Sequence, residues 1–149
     1  MTGGNALAVT LSVAAGFAGA VQISVMGRLG ERVGALEALA FSAVVMTVVT
    51  VAVLVAARQS LAGYADSARE PAWLWLGGVM GAAIVFTITV AGPRIGVLAT
   101  SSLLITGQFL AGTVIDRFGF FGVERVGVSW QRVLGLALLA LGAALALRR

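Results

Sequence analysis

The chain is 149 residues long, 60% hydrophobic and 11% charged, with a mean hydropathy of +1.04. This excludes a water-soluble domain, since those average about 45–50% apolar and about 25% charged residues. Cysteine and histidine are absent, and the ten basic residues, all arginine, outweigh six acids for a net charge of +4; this excludes disulfides and thiolate chemistry, removes the commonest metal ligand and general base, and, with the arginines scattered at the ends of apolar runs rather than gathered in a patch, excludes a nucleic-acid partner.

A spanning helix needs about 20 mostly apolar residues to cross roughly 30 Å. Five stretches qualify. The first is Ala6–Met26, with Asn5 placed to cap it. No basic segment precedes it and four more spans follow, so it is expected to be a retained helix rather than a cleaved signal. It carries Gln22 and the small pairs Gly16/Ala20 and Ala15/Gly19, which allow close backbone approach. A short connection, Gly27–Ala35, holds Arg28, Glu31 and Arg32. The second span is Leu36–Ala57, with Glu37 at its start, where an acid either couples an ion or faces the helix dipole.

Residues Arg58–Pro71 form a longer connection. The third span, Ala72–Ala91, has Pro71 suited to its first turn and Gly92-Pro93 to its close. Trp73 and Trp75 suit an aromatic belt, Gly77/Gly81 and Gly78/Ala82 are small pairs, and Thr87 and Thr89 lie deeper. After a short turn with Arg94 comes the fourth span, Val97–Ile115, the least apolar of the five. Its Ser101, Gln108 and Gly112 share a face with Ile105 and Ile115. That small, polar face should meet protein or a cavity rather than lipid. Asp116 closes the span, and the connection to Ser129 opens Asp-Arg-Phe-Gly-Phe-Phe-Gly, a mix expected at the membrane interface. The fifth span is Trp130–Leu147, capped by Ser129, with Arg132 near its start.

Five spans place the termini on opposite faces. Arg58, Arg69, Arg117, Arg125 and Arg132 fall on one side, and Arg28, Arg32, Arg94, Arg148 and Arg149 on the other. The excess of basic residues that normally fixes orientation is missing. Two explanations stand level: orientation set by other signals or a partner chain, and dual topology with antiparallel pairing. The second suits transport, because many transporters join inverted repeats at the membrane midplane.

The succession Trp73-Leu-Trp-Leu-Gly-Gly-Val-Met-Gly81, Pro93-Arg-Ile-Gly96, Gly107-Gln108, Ile115-Asp-Arg-Phe-Gly119 and Ser129-Trp-Gln-Arg-Val-Leu-Gly135 resembles the YdcZ-type, five-helix branch of the drug/metabolite transporter superfamily. The likeness runs from about Gly16 to the C-terminus. It implies small-molecule transport by paired five-helix units, as antiparallel homodimers, heterodimers of sister chains or fused ten-helix proteins. It also implies that Gln22, Gln108, Asp116 and Gly119 occupy the family's polar and glycine positions. Met26 stands where the family usually has Asn, and Leu36 where it usually has Pro.

The expectation is therefore an all-α integral membrane protein: a single transmembrane domain of five helices, half of an inverted-repeat (5+5) transporter, multi-pass in the bacterial inner membrane. Gln22, Thr87, Ser101 and Gln108 would line the substrate pathway. Glu37 and Asp116 are the acids available for ion coupling, and Gly16, Gly77, Gly81 and Gly112 the glycines available for helix packing. Its partners would be the lipid bilayer, a second five-helix chain and a small-molecule substrate. Neither metal nor cofactor is expected, nor enzymatic activity, since the chain has no glycine-rich phosphate loop and no nucleophile or paired acids at membrane depth. The rival readings are an accessory subunit that carries nothing and a small multidrug-type proton antiporter working through Glu37.

Overall fold

The structure is a computed structural model that describes residues 3–148, the side chains of residues 3–5 and 62 excepted. The described elements are α1 (Gly3–Val33), α2 (Ala35–Arg58), α3 (Ala62–Ser67), a 3-10 turn at Ala72–Trp75, α4 (Leu76–Ile95), α5 (Val97–Phe118), a second 3-10 turn at Phe120–Gly122, and α6 (Trp130–Leu147). Five helical segments are long and apolar enough to cross a membrane: Ala6–Val33, Ala35–Arg58, Ala72–Ile95, Val97–Phe118 and Trp130–Leu147. Helix is the state that hydrocarbon imposes on such runs, because it satisfies every backbone N–H and C=O within the segment. That constraint overrides the weak helix propensity of the valines that crowd α2.

The helix ends differ from expectation in informative ways. α1 continues through Arg28, Glu31 and Arg32 to Val33 and breaks only at Gly34. Those charges mark where the chain leaves hydrocarbon, not where the helix stops; Arg32 in the last turn complements the dipole there. α4 likewise runs past Gly92-Pro93 to Ile95. With only two helical residues beyond Pro93, the missing proline N–H costs a single late bond. Pro71 precedes the first turn of the third span rather than opening it, and its carbonyl accepts from Leu74 N at 2.9 Å. α1 already begins at Gly3, so Asn5 lies within its first turn; the Asn5 side chain is outside the described residues. The short α3 arises in the Arg58–Pro71 connection, where an exposed Arg69–Asp66 pair spans 3.6 Å.

The chain divides into two compact units. One comprises residues 25–93: the end of α1, then α2, α3 and nearly all of α4. Its buried residues are Met26, Gly27, Ala38, Val85, Ile88, Thr89 and Gly92, at the end of α1, the start of α2 and the second half of α4. Gly27 meets the Pro93 ring, and a Cβ built there would lie 3.0 Å from its Cδ and Cγ. Gly30 faces the Thr89 methyl. These glycines let α1 and α4 approach closely.

The other unit comprises, of the described residues, 3–24 and 94–148. Here α5 packs against α6, with Gly135 of α6 against the Phe109 ring of α5 (Cβ position to Cζ, 3.8 Å). Ile23, Ala99, Thr100 and Ala143 are its buried side chains. Elsewhere large apolar side chains such as Leu7, Phe17, Phe41 and Leu138 are exposed, as required of helices whose solvent is lipid.

Candidate functional site

Hydroxyls inside spans must find an acceptor, and most of them bond to the carbonyl one turn back. Thr87 donates to Ala83 O at 2.8 Å, Thr89 to Val85 O at 2.7 Å, Thr100 to Gly96 O at 2.8 Å, Ser102 to Leu98 O at 2.8 Å, Thr106 to Ser102 O at 2.7 Å and Thr113 to Phe109 O at 2.8 Å. Such groups cost little in hydrocarbon.

Gln22, Ser101 and Gln108 form no side-chain hydrogen bond among the described residues. Gln22 and Gln108 are exposed and Ser101 half-buried. An amide brings two donors and an acceptor, and moving one unbonded from water to alkane costs about 4–8 kcal/mol. Gln108 stands at the middle of the 22-residue α5, about 15 Å from either end at ~1.5 Å per residue. Gln22 lies about 9 Å along α1 before Arg28, the first charge at the end of that span, by the same rise. Ser101, Gln108 and Gly112 follow one another along a single face of α5.

Of the candidate pathway residues, Gln22, Ser101 and Gln108 fall in the unit built on α5 and α6, together with Gly16, Gly112 and Asp116. Thr87, Glu37, Gly77 and Gly81 fall in the other. The Glu37 carboxylate folds back over Gly34 at the start of α2. That is the third helical position, where a negative charge meets the positive end of the helix dipole.

Asp116 has a partner that sequence reasoning did not supply. Its Oδ2 accepts from Arg132 Nη1 at 2.9 Å, with both side chains about one-third exposed. The pair joins the end of α5 to the first turn of α6, and four further bonds hold the same corner. Gly119 takes a left-handed conformation (φ 68°) and caps α5 by donating to Ile115 O at 2.8 Å. Val126 N donates to Asp116 O at 2.9 Å, and Arg125 Nε to Phe118 O at 3.2 Å. Ser129 caps α6, its hydroxyl accepting from Arg132 N at 3.4 Å. An acid closing one span and an arginine opening the next was the available signal, but spacing alone does not pair them across a connection.

A Cβ at Gly16, Gly77, Gly81 or Gly112 would meet nothing within 4 Å among the described residues. Close helix approach within the chain is made instead at Gly27 and Gly30. Among the described residues no group of three or more acids forms a cluster able to hold a metal ion.

No curated protein and no solved structure matches the chain. A family described as "Putative inner membrane exporter, YdcZ" matches residues 7–145. That range holds all five spans but for Ala6 and the last two residues of the fifth, along with the Asp116 corner and both glutamines, and it bears out the resemblance carried by the glycine, Gly-Gln and Ile-Asp-Arg-Phe-Gly motifs. The chain belongs to this YdcZ family, and is with it a multi-pass transporter of the inner membrane.

Proposed function

We propose that two copies of the chain, or one copy and a sister chain, pack antiparallel and carry a small molecule along a path lined by Gln22, Ser101 and Gln108. One observation carries this reading: two exposed glutamines, with no side-chain hydrogen bond among the described residues, lie inside spanning helices of the single chain. Lipid cannot satisfy them, whereas a second unit enclosing an aqueous path can. The open faces around Gly16, Gly77, Gly81 and Gly112 supply surfaces for that second unit. Thr87 lies in the other unit, and with its proton held by Ala83 O it offers no free donor. Polar amides and hydroxyls without a central charge suit a neutral or weakly polar solute, moved by rocking one unit against the other.

The test uses the natural absence of cysteine. A Gln108→Cys chain, reconstituted in vesicles, is labelled from outside with a membrane-impermeant maleimide while a panel of small solutes is screened for flux. The path predicts labelling that a transported solute slows, and loss of flux in Gln108→Leu. Labelling by lipid-soluble reagents only, with flux intact in Gln108→Leu, would remove Gln108 from the path.

A further inference from the structure

The α5–α6 connection exposes the wrong side chains for a loop in water. Phe120 is 50% exposed, Phe121 64%, Val123 46% and Val128 45%, and Phe118 and Trp130 at the flanking helix ends are 57% and 69% exposed. The rings lie together, with 5.5 Å between the Phe118 and Phe120 centroids and 6.5 Å between those of Phe120 and Phe121. Meanwhile the corner turns polar groups inward, through Val126 N to Asp116 O, Arg125 Nε to Phe118 O and Gly119 N to Ile115 O. Both ends of the segment are ends of spanning helices, so it stays within reach of the bilayer surface. Its charges nearly balance: Asp116 is matched by Arg132, and Glu124 offsets one of Arg117 and Arg125.

We propose that Gly119–Trp130 is a lipid anchor. Phe120 and Phe121 insert below the phosphates of the leaflet they meet, and apolar burial rather than attraction to anionic headgroups holds them there. Aromatic side chains are at home at this depth, and apolar insertion is the charge-independent part of interfacial binding. The Asp116–Arg132 pair is the fastener that presents the rings. This does not rest on the transport path, and failure of either leaves the other standing.

Single cysteines at Phe120 and at Phe121, spin-labelled in the full chain, measure depth directly. Leu110→Cys on α5 serves as a lipid-facing reference, and Asp66→Cys in the other long connection as a water-facing one. Reconstitution is in vesicles of phosphatidylcholine alone and of phosphatidylcholine with phosphatidylglycerol. The expected result is oxygen collision more frequent than at Asp66 though below that at mid-span Leu110, and collision with a water-soluble nickel complex several-fold rarer than at Asp66, alike in both vesicle types. Asp116→Asn should raise nickel collision several-fold at both positions; no change there overturns the fastener. Nickel collision at the Asp66 level overturns the anchor, because the rings then face water. Protection from both reagents overturns it too, since protein then covers them. Depth reached only with phosphatidylglycerol overturns the charge-independent mechanism. Phe120 and Phe121 are both exposed, so each position checks the other without disturbing helix packing.

Discussion

Gly30 lacks a side chain where the methyl of Thr89 occupies the space a Cβ would take. Thr89 cannot swing away cheaply, being 2% exposed with its hydroxyl fixed on Val85 O. Gly30→Ala should therefore cost about 1–3 kcal/mol, the usual penalty of overpacking. Thr89→Ser, which removes the methyl and keeps the hydroxyl, should recover most of that loss in the double variant; unfolding in mixed micelles measures the coupling. Gly16→Ala should leave the stability of the separated chain unharmed, because nothing described lies within 4 Å. The sequence could not distinguish these glycines. With 20 in the chain, small residues four apart occur on many faces, and spacing does not say whether a face meets the same chain, a second chain or lipid. Asp116 shows the same limit: its position was legible, but its bond to Arg132 depends on how the connection folds.

At the scale of elements, the two shortest connections are each a single glycine. Gly34 (φ 102°, ψ 150°) joins α1 to α2, and Gly96 (φ 85°, ψ 162°) joins α4 to α5. They sit in matching strings, Gly30-Glu-Arg-Val-Gly34-Ala-Leu36 and Gly92-Pro-Arg-Ile-Gly96-Val-Leu98. This backbone region is almost closed to residues with a Cβ, at a cost of order 1–3 kcal/mol. Gly34→Ala and Gly96→Ala should each lower stability by about that amount. At Gly34 a Cβ would also strike the Glu37 carboxylate, yet Glu37→Ala should rescue only part of the loss, since the backbone strain remains. Full rescue in thermal unfolding would show that the side-chain clash was the whole effect. The existence and order of the five spans were legible because hydrocarbon leaves a long apolar run one conformation. The turns were not, because hydropathy reports where the chain meets water. α1 carries three charges beyond that point and is still a helix.

For the molecule as a whole, the arginine balance makes the antiparallel pair testable in cells. Arg28 and Arg32, exposed near the end of α1, contribute to one side of the even count. Orientation responds to Lys/Arg close to span ends, with acids contributing little. Neither arginine forms an ion pair among the described residues, so replacing both with glutamine should shift orientation without unfolding the chain. If both orientations are populated, as the antiparallel homodimer requires, a cysteine added at the N-terminus should react with impermeant maleimide in only part of the wild-type population. In Arg28→Gln/Arg32→Gln that part should fall, because the face keeping more arginines, the one with the N-terminus, now stays in the cytoplasm. Arg58→Gln/Arg69→Gln should move it the opposite way. Flux should fall in both variants and return when the two are expressed together, since oppositely biased chains restore the pair. A wild-type chain that inserts one way only, unmoved by either double replacement, would rule out the homodimer and leave a sister chain as the second half.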